Sequence, residues 1–172
     1  MVEKEMNEMI DLDDQESPAT FTKLKPEEWD VSVRGCINGG GTKKEFYTNL
    51  KLEGNEDWNK WVDPLPVETW IIAKMKKPTY IKMIGLKSAN DYPERDPLTI
   101  EILVEYEDSG IFNSIEEFDN LEFSERHQLL DFPIYTNGKI TALKVLIKLN
   151  KAKFYGGFPG DVTQLNELVL YR

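Results

Sequence analysis

The stretch YIKMIGLKSANDYPERDPLTIEILVEY, residues 80–106, decides the fold. In its second half Leu98, Ile100, Ile102, Val104 and Tyr106 alternate with Thr99, Glu101, Leu103 and Glu105. Strict period-two alternation marks a strand with one buried face. The first half, Tyr80 to Ala89, is rich in Ile, Met and Leu and reads as another strand. Between them SANDYPERDP (88–97) holds Asx residues that close turns and prolines that block ladder hydrogen bonds. Two long strands joined by a structured loop thus form the centre of an antiparallel β domain.

Working outward, Trp29, Val31 and Val33 alternate in PEEWDVSVRGC (26–36), and the glycines of NGGGT (38–42) end that strand. TWIIAKM (69–75) is a strand between prolines, and RHQLLDFPI (126–134) is another. YTNGK (135–139) predicts a tight hairpin through Asn137-Gly138. ITALKVLIKL (140–149) points Leu143, Val145, Ile147 and Leu149 inward and Lys144 and Lys148 outward, and VTQLNELVLYR (162–172) closes the chain as a last strand. In the excursion EDSGIFNSIEEFDNLEF (107–123), the three-residue spacing of Ile115, Phe118 and Leu121 predicts a short helix. Trp29, Trp61 and Trp70 are core residues by this reading. About eight short strands with turn signals between them make an all-β, antiparallel sandwich or jelly roll.

A chain of 172 residues with 40% hydrophobic content can bury one sizeable core. Residues 1–25 form an acidic arm, flexible or partner-bound, ahead of a domain over 26–172. No apolar run approaches the roughly 20 residues that span a bilayer. MVEKEMNEMIDLDDQ is acidic and broken by charge, unlike a secretory signal. Cys36 is the single cysteine, which excludes an internal disulfide and fits a reducing compartment. A cytoplasmic protein is therefore expected.

The net charge is −10, concentrated in residues 1–30, with ten acids against three lysines, and 105–126, with eight acids against one arginine. The two blocks are solvated surfaces or docking elements for basic partners. The rest is slightly basic, with lysines gathered at 74–87 and 139–153. Nucleic acid is not an expected ligand, because phosphate contacts need clustered cations in a basic chain. His127 is the only histidine and sits beside Arg126 as a surface or edge residue. No nucleophile elbow, phosphate-binding glycine loop or zinc-ligand cluster is present, so no catalysis is expected. Cys36, at a strand end, reads as a buried, inert thiol. Asp91, Arg95 and Asp96 are either a ligand-reading set or an internal ion pair that pins the central loop. Tyr92, Trp58, Tyr155 and Phe158 are loop aromatics that would stack on sugars or anchor a protein partner.

With this order of elements, the chain resembles the discoidin family, also called coagulation-factor type C or galactose-binding-like domains. Leu52-Glu53-Gly54-Asn55 with Trp61-Val62 looks like its segment after the first strands. Pro66–Leu86, ending in YIKMIGL, looks like its paired strands, Arg95-Asp96-Pro97 like its signature before the alternating strand, and VTQLNELVLYR like its closing strand. SANDYPERDP is similar to a version found in intracellular members. The resemblance covers roughly residues 29–172. It implies an eight-stranded jelly roll of a family that mostly binds ligands, with loops at one end, and rarely catalyses. It also implies a Ca²⁺ site at Glu53, Asn55 and Glu167. This chain has Glu53 where Asp is usual and Lys60 where the family has Thr before Trp61. The cofactor is therefore none or a structural Ca²⁺, and in the first case Glu167 hydrogen-bonds the first strand. The function expected from the resemblance is a non-catalytic subunit of a larger intracellular protein assembly, of ciliary, cytoskeletal or ubiquitin-ligase type. Arm and loops, including Arg95, would carry the docking. The alternative is a carbohydrate-binding module that uses the loop aromatics.

Overall fold

The computed structural model describes residues 20–37, 45–53, 59–65, 68–154 and 162–172. The strands are β1 (Trp29–Val33), β2 (Trp61–Asp63), β3 (Thr69–Thr79), β4 (Met83–Lys87), β5 (Pro97–Glu105), β6 (Asn113–Phe118), β7 (Leu129–Pro133), β8 (Ile140–Asn150), β9 (Thr163–Leu165) and β10 (Glu167–Tyr171). One five-stranded sheet has the order β1-β3-β8-β5-β6; β10-β4-β7 form a second sheet, and β2-β9 a short ladder. Every pairing is antiparallel. The architecture is the expected all-β sandwich.

The alternation read from sequence supplies the core. Ile100, Ile102 and Val104 of β5, Leu143, Val145 and Ile147 of β8, and Ile71 of β3 are fully buried from the large sheet. Ile84 and Leu86 of β4, with Leu168 and Leu170 of β10, join them from the small sheet. Each fully buried aliphatic side chain is worth roughly 1.5–3 kcal/mol of transfer free energy.

Several expectations are corrected. The strands of the opening stretch, β4 and β5, lie in opposite sheets, so the loop between them crosses from one layer to the other. The same holds for β7 and β8, so YTNGK is a crossover, not a hairpin; inward-facing residues of the two strands fill opposite layers. The helix expected in 107–123 is strand β6. A register shift between Ile102 and Leu103 leaves Ile115 unmatched on β6. This bulge changes the parity, so Ile115 and Phe118 both pack on the core at a spacing that mimics a helical turn. β3 continues through Pro78, where its ladder with β8 is irregular between Lys74 and Thr79 and no donor is required. The closing stretch is two strands, broken at Asn166.

Trp29 and Trp61 are buried, but Trp70 is only half-buried, on the outer face of β3 under Lys144. Its neighbours Thr69 and Ile71 take the inward positions. His127 sits in a turn at φ 57°, ahead of β7 and not on a strand. The half-buried Cys36 Sγ donates to the Glu45 carbonyl at 2.9 Å, and burial pushes its thiol pKa up. The arm expected over 1–25 is part of the sandwich from Thr22 onward. Thr22 and Arg172 exchange backbone hydrogen bonds of 2.8 and 2.9 Å, and Leu24 is buried.

Candidate functional site

Strand directions gather several loops at one end of the sandwich: residues 88–96 between β4 and β5, 119–128 ahead of β7, and the segment entering β9. The 88–96 loop is held from outside itself. Arg126 donates a two-pronged contact to Asp96, Nη1 to Oδ1 at 2.9 Å and Nη2 to Oδ2 at 2.5 Å. Its Nη1 also reaches the Asp91 carbonyl at 3.2 Å. Lys60 Nζ meets Asp91 Oδ1 at 2.6 Å, and Gln164 Nε2 donates to the Asp91 carbonyl at 2.6 Å. Partners from just ahead of β2, from β9 and from the 119–128 segment thus converge on Asp91 and Asp96. Sheet topology, not sequence proximity, selects them.

Burial pushes the Asp96 carboxyl pKa up, against the pull of Arg126, while the hydrogen bonds to Asp96 hold the guanidinium above its usual value. At the same end Asp63 is fully buried and takes Arg34 Nε at 2.9 Å and Nη2 at 2.5 Å, together with the Thr69 hydroxyl and the Leu65 N–H. Burial raises the Asp63 carboxyl, but these donors outweigh it and hold the group below the usual range.

On this anchored loop Tyr92 adopts the left-handed conformation, φ 42° and ψ 74°, as the cap of a 3-10 turn over Pro93–Arg95. The geometry turns its ring outward, 50% exposed, and the Arg95 guanidinium stacks 4.0 Å from the ring centroid. The result is a flat aromatic face with hydrogen-bond donors along it. Gln164 Oε1, Asn166 Oδ1 and Asn90 Oδ1 are buried acceptors with no hydrogen-bond partner among the described residues. Orphaned polar atoms concentrated at one end are sites for water or ligand hydroxyls.

Of the residues singled out from sequence, Tyr92 and Arg95 come together here. Trp58, Tyr155 and Phe158 lie outside the described residues. Lys60, Arg126 and Gln164 were not recognised from sequence. Arg126 carried one signal, as the lone cation of an acidic segment.

The proposed metal set is only partly visible, because Asn55 also lies outside the described residues. Glu53 is exposed, and Glu167 is buried at the start of β10. Burial pushes the Glu167 carboxyl up; Lys23 and Lys87 act the other way, and Glu53 reinforces the rise. Its carboxylate makes no hydrogen bond to β1 among the described residues; the Trp29 carbonyl there accepts Lys51 Nζ at 2.5 Å. No cluster of three or more His, Cys, Asp or Glu is present among the described residues.

A sandwich of this topology has the galactose-binding-like fold of F5/8 type C domains and family 32 carbohydrate-binding modules. The particular proteins it resembles are distant in sequence. A family 32 module from Clostridium perfringens, in complex with GalNAc-β-1,3-galactose, superposes with a TM-score of 0.70 at 14% identity, covering 88% of this chain and 100% of that one. An F5/8 type C domain from Bacteroides fragilis gives 0.68 at 15% identity, with 90% and 98% covered. Another C. perfringens family 32 module, in complex with galactose, gives 0.63 at 14%, with 89% and 100% covered. The sequence matches no protein-family model and no curated protein. Identities this low establish the fold alone.

Proposed function

We propose that this chain is a non-catalytic carbohydrate-binding module that takes a galactose-type sugar on the Tyr92–Arg95 face. The observation that carries this reading is an exposed tyrosine ring, stacked by a guanidinium, on a loop pinned by Arg126, Lys60 and Gln164. The apolar C–H face of a pyranose stacks on such a ring, while Arg95 donates to its hydroxyls. The solved relatives in complex with galactose and GalNAc-β-1,3-galactose support the choice of sugar.

Calorimetric titration with these two sugars tests the proposal. Loss of one stacked aromatic should weaken binding about three- to tenfold in Tyr92→Ala, while Tyr92→Phe retains it. Binding should also survive chelation by EGTA. Equal affinity in wild type and Tyr92→Ala would remove the site. Docking into a cytoplasmic protein assembly ranks second, because the solved relatives that guide the choice are in complex with sugars.

A further inference from the structure

The opposite end of the sandwich, where β3 ends and β4 and β8 begin, carries a second constellation. Two open clefts of about 650 and 480 Å³ share Tyr80 and Lys82. The first is lined by five cations, Lys76, Lys77, Lys82, Lys139 and Arg172, against two carboxylates, Glu27 and Glu28. The second continues past Tyr135. Arg172 is matched by Glu28 at 2.6 Å and Lys76 by Asp30 at 3.5 Å. Lys77, Lys82 and Lys139 are exposed and make no ion pair among the described residues.

In a chain of net charge −10, three unmatched ammonium groups at one end are a local reversal of sign. Two tyrosine rings line the same pair of clefts, Tyr80 at 50% exposure in both and Tyr135 at 82% beside Lys82 in the second. Exposed lysines attract anions of any kind, but flat rings select among them. A sugar ring has an apolar face to lay on tyrosine and can carry a carboxylate or sulfate at its rim. A run of Asp and Glu supplies the charge without the face.

We propose that this end binds an anionic glycan, a uronate or sulfated chain. The site is separate from the Tyr92 face and does not depend on it. The lysines would hold the acid groups as point charges, so affinity falls as salt rises.

The full chain is titrated with an oligogalacturonate, a sulfated heparin-derived oligosaccharide and a polyglutamate peptide of matched charge. At least one glycan should bind clearly more tightly than the peptide, and the two glycan arms separate carboxylate from sulfate recognition. Replacing Lys77, Lys82 and Lys139 together by Ala should cost roughly tenfold. Tyr135→Ala should cost about three- to tenfold. Tyr92→Ala should leave this binding unchanged, which separates its fate from that of the galactose reading. The proposal is overturned if neither glycan binds at millimolar concentration, if polyglutamate binds as tightly, or if Tyr135→Ala has no effect.

Discussion

Replacing Arg126 with Ala tests how the candidate loop is held. Asp96 is fully buried, and in the variant its side chain loses the 2.9 and 2.5 Å charge-assisted bonds. Removing one partner of a buried pair leaves an uncompensated charge and costs about 3–5 kcal/mol. Arg126 itself is 23% exposed, so water can enter and the lower end of that range is expected. Against a total stability of about 5–15 kcal/mol this is a large loss, and near 3 kcal/mol it lowers Tm by roughly 6–12 °C. Burial already raises the Asp96 carboxyl, and losing the guanidinium raises it further. A carboxyl with a raised folded pKa contributes stability that is full below its unfolded pKa. That contribution disappears as pH rises through the folded value. The gap between variant and wild type should therefore narrow on acidification. Urea unfolding followed by tryptophan fluorescence at pH 7 and pH 5 measures both effects. A loss below about 1 kcal/mol at pH 7 would place the pair in the range of surface ion pairs and refute the reasoning, as would a gap independent of pH.

Asp63 titrates with the opposite sign. Its carboxyl is held low, so its contribution is present above the ordinary Asp range and is lost as pH falls through the folded value. Asp63→Asn should flatten the acid limb of the Tm profile below about pH 4; parallel wild-type and variant profiles there would contradict this. Gly85→Ala should destabilise by about 1 kcal/mol in urea titration, because Gly85 faces away from the core, between the inward Ile84 and Leu86, and a new Cβ would crowd side chains on the outer face of the small sheet. The added Cβ would stand 2.9 Å from Leu129 Cδ1 and 3.3 Å from the backbone-anchored Val169 Cβ. A neutral outcome would mean that the Leu129 and Asp131 side chains swing clear and that β10 yields.

The residues that were legible in the sequence are those whose environment follows from their own strand. Ile100, Ile102 and Val104 alternate, and their burial needs no knowledge of what lies opposite. Asn90, Asp91, Pro93 and Pro97 announced a connection, and Tyr92 was recognisable as an aromatic with no place in that pattern. Ile115 and Phe118 misled because a bulge and a helical turn share a three-residue spacing. Trp70 misled because hydrophobicity does not say which face of a strand is inward.

Amino-acid order alone determined the strands, the turn chemistry and the all-β class, since these depend on side-chain periodicity and backbone limits within a few residues. Only the tertiary structure decided that β4 and β5 occupy opposite sheets, that Arg126 and Lys60 reach the loop from other segments, and that lysines of β3 and lysines just ahead of β4 and β8 share one cleft. Such contacts join residues 30 or more positions apart, and their charge pairing is settled by which strands the core brings together.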